Sequence, residues 1–338
     1  MVADPRVTII GATGAVGKIA LEVLSQRNFA MSNLRLTASE RSVGKKIDFA
    51  GTSITVEATT EEVFKETDIA FISANDDISR ALAPIARQNN CIVIDDSGVW
   101  RMDEKVPLVV PEINASDLIE HSGIVSIPNC STTPLAMVLD ALRKENNIIR
   151  VIVATYQSVS GTGAAAVAEL DQQSRNILDK KPLKIEQYPY QIAYNLIPQI
   201  GSFNENGYTS EELKMLNETR KILHEPSLPV SATCVRVPVN ICHSESVNIQ
   251  LERPLEVAKA RELLANYPGI VVIDNPEDNS YPMPIDCTGE DEVFVGRVRQ
   301  DNALENGLSL WIVSDNLRKG AATNAIQIAE EIIKLNAW

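Results

Sequence analysis

The residues Arg6-Val7-Thr8-Ile9-Ile10 run directly into Gly11-Ala12-Thr13-Gly14-Ala15-Val16-Gly17, and this junction limits the fold more than any other stretch. A β-branched apolar run of that length reads as a buried parallel strand. Beyond the glycines, Val16, Ile19, Ala20, Val23 and Leu24 repeat at helical spacing. A strand that turns on glycines into a helix gathers backbone N–H groups and the positive end of a helix dipole at one point, which suits a pyrophosphate. Glycine permits both the tight turn and the close approach of a ligand. Such a turn alone is a weak signal; in this strand–turn–helix setting it reads as a dinucleotide site, with Gly11, Thr13, Gly14, Ala15 and Val16 as contacts.

Strand-like segments at 34–38, 68–73, 91–95, 108–110 and 124–127 follow, with a helical pattern at 78–88. Strands alternating with helices predict a doubly wound, mostly parallel, Rossmann-like sheet. Near residue 148 the character changes. Longer strands come closer together (150–158, 233–241, 247–251, 293–299, 308–314), with a helix at 164–178 and a proline-bearing loop at 181–207. They predict an α+β domain on an antiparallel or mixed sheet. Ala322, Ala325, Ile326, Ala329, Ile332 and Ile333 share one face of a C-terminal helix, expected to pack back on the first domain. The division is therefore 1–128, completed by 317–338, and 129–316.

The 338 residues are enough for two packed domains. A formal charge of −14 disfavours nucleic acid or an anionic membrane surface as partner, since both would repel the chain. Five cysteines without a CxxC pair argue against a disulfide framework or a zinc site and fit a reducing compartment. No metal is expected. The N-terminus lacks the layout of a signal peptide and no apolar run is long enough to span a membrane, so a cytoplasmic protein is expected.

The second strand ends at Ser39-Glu40-Arg41-Ser42. An acid at this tip suits the ribose hydroxyls of NAD, whereas an arginine suits the 2′-phosphate of NADP. Arg41 flanked by two hydroxyls reads as a phosphate clamp, making NADP(H) the preferred cofactor over NAD; the alternative is a solvated loop. Further along, Pro128-Asn129-Cys130-Ser131-Thr132 follows a strand and opens a helix whose apolar face is Leu135, Val138, Leu139 and Leu142. A helix N-terminus favours the thiolate over the thiol. Most cysteines are small buried hydrophobes, and Cys91 and Cys234, each inside an apolar strand, read that way. Cys130, between Asn129 and Ser131 at an element junction, reads as a nucleophile.

Together the Gly11–Gly17 turn, the PNCST segment, Ser158-Val159-Ser160-Gly161-Thr162-Gly163 and CVRVPVNICHSES from Cys234 resemble the aspartate-semialdehyde dehydrogenase family, in order and spacing, over essentially the whole chain. The resemblance implies reductive dephosphorylation of L-aspartyl-4-phosphate by NADPH, with Cys130 as nucleophile, His243 as acid–base partner and Gln157 orienting the substrate. It implies that Arg236 binds the α-carboxylate, that Glu211 meets the ammonium, and that Arg101 and Lys214 meet phosphate, with Asn129 beside the acyl group. Arg41, Ser42, Ser73, Ser160, Gly161 and Asn316 are implied cofactor contacts, and residues 129–316 an implied catalytic and homodimerisation domain. Arg236 and His243 have opposite strand parity, and a bend or bulge at Pro238 would bring them to one cleft. Where many members carry a glycine–glycine–serine loop, this chain has Ser73-Ala74-Asn75-Asp76-Asp77, which adds charge near the expected phosphate path. Two other readings stay open: an N-acetyl-glutamyl-phosphate reductase-like enzyme and a non-catalytic homologue acting as a binding protein.

Overall fold

Val7, Ile9 and Ile10 are all buried in β1 (Arg6–Ile10), as a strand covered on both faces requires. The computed structural model describes residues 4–338 and divides them into two units: the residues up to Asn129 with Ala321–Trp338, and Cys130–Gly320.

In the first unit β1 leads through α1 (Ala15–Gln26) to β2 (Asn33–Ala38), the hairpin β3 (Lys46–Phe49) and β4 (Thr52–Thr55), and the short β5 (Glu57–Ala58). Then come β6 (Ile69–Ile72), α2 (Asp76–Gln88), β7 (Ile92–Asp95), the short α3 (Pro111–Asn114) and β8 (Ile124–Ser126). The sheet runs β5-β2-β1-β6-β7-β8, parallel throughout. The order reverses at β1, so the crevice beyond its C-terminal end is where such a sheet binds ligands. The C-terminal helix Thr323–Leu335 buries Ile326, Ile328, Ala329 and Ile332 in the same cluster as Val23, Leu24 and Leu118.

Two expectations change here. Residues 108–110 form only one bridge, Leu108 to Ser126, because Pro107 and Pro111 lack the N–H groups a strand needs. The acidic loop after β6 is a helix start: Asn75 Oδ1 accepts the Ile78 N–H at 3.0 Å, and Asp76 and Asp77 fill the first turn of α2. Asp76 also accepts the Gly98 N–H at 3.1 Å. Acids there complement the helix dipole.

The second unit contains α4 (Thr132–Arg143), β9 (Ile148–Gln157), α5 (Ala164–Leu178), α6 (Ser210–Ile222), β10 (Val230–Arg236) and β11 (His243–Leu251). It continues with α7 (Val257–Ala265), β12 (Ile270–Val272), the short α8 (Pro284–Cys287), β13 (Val293–Gln300) and β14 (Gly307–Ser314). The mixed sheet runs β10-β9-β11-β14-β13-β12. Helices α4, α6 and α7 gather against it, and along β9 Val151, Val153, Thr155 and Gln157 are buried. Alternate residues Ile152 and Tyr156 are exposed, with the Tyr156 ring 5.2 Å from Trp311. The single strand expected over 233–241 stops at Arg236. Pro238 interrupts it, Cys242 turns with φ +72°, and His243 opens a new strand.

Candidate active site

Register places the polar residues in rows. Arg236 of β10 lies opposite Gln157 of β9, and His243 of β11 opposite Ser314 of β14. One row down, Thr155 faces Cys234 on one side and Glu245 on the other. Arg236 and His243 thus meet from separate strands, which resolves their opposite parity without any bulge. Both reach Gly161: a Cβ built there would stand 3.2 Å from the His243 Cε1 and Nε2 atoms and 3.3 Å from Arg236 Nη1.

Helix α6 is fixed onto this sheet by its own first turn. Thr209 and Glu212 form a capping box, and the second Glu212 oxygen accepts the Cys234 N–H at 3.0 Å, tying the helix start to β10. That places Glu211, whose Oε1 accepts from Gln157 Nε2 at 3.0 Å, while Thr155 Oγ1 donates to Gln157 Oε1 at 3.0 Å. Lys214, one turn on, pairs with Glu211 at 3.1 Å and remains partly exposed. Arg236 Nη1 donates to the Ser158 carbonyl at 2.5 Å, and the Ser158 N–H donates to His243 Nδ1 at 3.0 Å. Gln157, Glu211 and Lys214 therefore form one bonded set, and Arg236 and His243 meet through Ser158, the next residue after Gln157.

Cys130 enters at the start of α4, which packs on α6 through Thr132 Oγ1 and Met215 Sδ at 3.8 Å. No side chain caps this helix and no acid occupies its first turn, so nothing in that turn offsets the positive end of its dipole. Among the described residues no disulfide joins any of the five cysteines, and Cys130 is the one that is not buried. Burial pushes Cys91 and Cys242 up to about 12 and Cys287 to about 11, and raises Cys234 further still, so those thiols stay protonated. The glycine that lets Cys130 sit there is Gly320: a Cβ on it would come within 2.8 Å of the Cys130 Cβ. Gly320 escaped the sequence reading, although a glycine inside a helical run is itself a packing signal.

Asn316 is buried, and its Oδ1 accepts the Cys242 N–H at 3.0 Å and the Ser158 and Ser160 hydroxyls at 3.1 Å. Its amide holds the turns on either side of His243. Glu245 also escaped notice. It is 1% exposed, neither carboxylate oxygen has a hydrogen-bond partner among the described residues, and burial holds its carboxyl well above the usual range. A carboxyl that keeps its proton when folded but ionises when unfolded contributes stability below the unfolded value, near 4.3, and loses it as pH rises. Glu245→Gln is therefore expected to melt increasingly above the parent chain between pH 5 and pH 8. A thermal-midpoint difference that stays flat with pH would refute a protonated Glu245.

In the first unit, Gly11 has φ +87° and a Cβ there would fall 2.1 Å from the Ser73 carbonyl oxygen, so only glycine fits. Helix α1 follows Gly14 with no side-chain cap and no acid in its first turn. At the β2 tip Ser42 is buried, accepting from Thr13 Oγ1 at 3.2 Å and Lys45 Nζ at 3.3 Å, while Arg41 is exposed beside it. Lys45 is a cation the sequence alone did not single out. Ser73 Oγ donates to Asp96 at 3.4 Å. Arg101 is buried in this unit, with Nη2 on the Asp96 carbonyl at 2.8 Å, and Asn129 is buried at the unit's end.

Comparison with known proteins agrees with this chemistry. The family model described as semialdehyde dehydrogenase, NAD binding domain, matches residues 6–121, and the semialdehyde dehydrogenase dimerisation domain matches 139–319. The chain is 50% identical to an aspartate-semialdehyde dehydrogenase of Aquifex aeolicus (97% of this chain, 98% of that one). It is 49% identical to one of Bacillus subtilis, with 98% of each covered. It also superposes with a TM-score of 0.95, at 42% identity and 98% coverage of both chains, on the crystal structure of aspartate semialdehyde dehydrogenase II from Vibrio cholerae complexed with ASA. On sequence, fold and the grouping of its polar residues, the chain belongs to the aspartate-semialdehyde dehydrogenase family.

Proposed function

We propose that the chain reduces L-aspartyl-4-phosphate to L-aspartate 4-semialdehyde with NADPH, through a thioester on Cys130, in the biosynthesis leading to lysine, threonine and methionine. The observation that carries this reading is the one accessible cysteine at an uncapped helix start, in the unit that groups Gln157, Glu211, Lys214, Arg236 and His243. The Cys130 sulfur attacks the acyl carbon, and backbone donors at the start of α4, with Asn129, stabilise the oxyanion. Arg236 takes the α-carboxylate with a planar fork. Glu211 takes the ammonium, Gln157 aligns the acyl group, and Arg101 and Lys214 neutralise the departing phosphate. His243 presents Nε2 to the reacting oxygen.

The residues at the β1 turn fit a dinucleotide, because an uncapped helix start without acids leaves N–H groups for a pyrophosphate. Gly11, Thr13, Gly14, Ala15 and Val16 would hold it, with Arg41, Ser42 and Lys45 at the 2′-phosphate; Ser73, Ser160 and Gly161 are further contacts. When bound, the reduced nicotinamide supplies the hydride that converts the thioester to the aldehyde level. Replacing both Arg41 and Lys45 by alanine is expected to raise the KM for NADP+ at least tenfold and leave that for NAD+ unchanged. Each lost phosphate contact is worth about 1 kcal/mol or more. Equal effects on both cofactors would remove the NADP assignment.

The uncovered sheet face with Ile152, Tyr156 and Trp311 supports a homodimer formed through the second unit. Five cysteines without a disulfide among the described residues suit the cytoplasm. The test of the activity is phosphate-dependent NADPH formation from aspartate semialdehyde, compared by kcat/KM with N-acetyl-glutamate semialdehyde. Glu211, buried beside Lys214, suits a free ammonium, which the acetylated substrate lacks. A preference for the acetylated substrate would overturn the proposal.

A further inference from the structure

Between α5 and the bridge at Ile197 the chain forms neither helix nor strand, yet two buried side chains of α5 pin it down. Glu169 Oε2 accepts the N–H groups of Glu186 at 3.0 Å and Gln187 at 2.8 Å. One turn on, Gln173 Oε1 accepts those of Ile192 at 3.0 Å and Ala193 at 3.1 Å. Its Nε2 donates to the Lys184 carbonyl at 2.8 Å and to Glu169 Oε1 at 3.0 Å. A long connection without structure of its own is usually either mobile or functional. This one is clamped on both sides of a single aromatic residue, Tyr188.

Tyr188 packs on the apolar cluster of Val159, Ala166, Leu170 and Ile192, and its ring centroid lies 5.9 Å from the Arg236 Cζ atom. Its hydroxyl donates to Thr162 Oγ1 at 3.0 Å. Thr162 ends the short turn Val159–Thr162, in which Gly161 lies against Arg236 Nη1. The guanidinium is thus touched by an aromatic ring and by a backbone turn, and one hydrogen bond joins the two. We propose that Tyr188 is a positioning residue for the substrate α-carboxylate, holding the Arg236 fork in one plane before the substrate arrives.

The inference rests on the proposed activity, in which Arg236 takes that carboxylate. Arg236 has one bond to hold it, from Nη1 to the Ser158 carbonyl, and Nε is buried without a partner among the described residues. A fork held at one corner can still swing about that corner. A cation over an aromatic face is attracted to it, most strongly where water is excluded. The ring therefore removes the swing. An arginine whose side-chain freedom is lost in advance does not lose it again on binding, so the gain falls on affinity for the carboxylate. It does not fall on the chemical step, because Tyr188 reaches the substrate only through Arg236.

Two variants separate the ring from the hydroxyl. Tyr188→Leu is expected to raise the KM for aspartate semialdehyde about tenfold, the scale of a desolvated cation–π contact, with kcat within about twofold of the parent chain. The KM values for phosphate and NADP+ should not move, which a loop that only packs would not guarantee. Tyr188→Phe keeps the ring and should stay within about threefold of the parental KM. Should leucine fail to fold, Tyr188→Gln suits a half-buried position and makes the same measurement. A second readout needs no substrate: the 1Hε–15Nε cross-peak of Arg236, assigned by its loss in Arg236→Met, should shift in Tyr188→Leu and stay in place in Tyr188→Phe. A parental KM without the ring, a phenylalanine variant as impaired as leucine, or a cross-peak indifferent to the ring overturns the inference. If the parent chain does not turn over aspartate semialdehyde, the proposed activity fails, and the cross-peak alone decides whether Tyr188 holds Arg236.

Discussion

Cys130→Ala is expected to fold as the parent chain does and to lose phosphate-dependent turnover by about 10,000-fold or more, the scale seen when a covalent nucleophile is removed. The two halves of that expectation have separate causes. The contact that fits Cys130 into the fold is made by its Cβ, Cα and backbone oxygen against Gly320, and alanine keeps all three. Only the sulfur of a residue outside the buried core is lost, so the melting temperature should hardly move. The sulfur is nevertheless the only atom at the start of α4 able to form the thioester. The same change at Cys234 should give the opposite pattern. That thiol is buried in a β-strand and held protonated, so its loss costs packing and leaves the chemistry in place. Measuring kcat and thermal midpoint for both variants separates them; turnover of Cys130→Ala within tenfold of the parent would end the thioester proposal.

How much of this was legible in the residues differs by level. The β1–glycine–α1 junction was, because a continuous apolar run and a glycine turn are local signals that tertiary context does not override. So was the setting of Cys130 ahead of a helix, which distinguishes it from cysteines inside strands. The hairpin β3–β4 was not: its strands are half-exposed and polar, and its turn is the unremarkable pair Ala50-Gly51, both at positive φ. The residues that only position others were hidden for a different reason. Glu245 looks like any polar residue on an alternating strand, and its burial depends on how α4 and α6 gather against the sheet. Ser158 acts through its backbone N–H, which every residue but proline possesses. The Asp76-Asp77 pair stands out by its charge, whereas its place in the first turn of α2 is marked by Asn75, a residue whose side chain caps helices.

Arg236 shows how one such residue serves two ends, and its replacement by methionine should be the most damaging change outside the nucleophile. The guanidinium is 5% exposed, lies 5.9 Å over the Tyr188 ring, and donates through Nη1 to the Ser158 carbonyl. That single bond does not satisfy the five donors of the fork; Nε is buried and has no partner among the described residues. The remaining donors suit a carboxylate, and methionine fills the volume while removing them. Truncating one member of a buried charge pair typically costs about 2–5 kcal/mol, so kcat/KM for aspartate semialdehyde should fall about 1,000-fold, mostly in KM. Lysine restores the charge without the fork, and Arg236→Lys should recover less than a tenth of the loss. The second effect is electrostatic. Arg236 is one of the groups that keep His243 unprotonated, so in Arg236→Met the ring should take up its proton at a higher pH than in the parent chain. The sign is fixed: a neighbouring positive charge disfavours the imidazolium, and removing it raises the pKa. A histidine titration that is unmoved in Arg236→Met would show that the guanidinium does not act on the ring, and an Arg236→Lys variant with parental KM would show that it does not bind the substrate carboxylate.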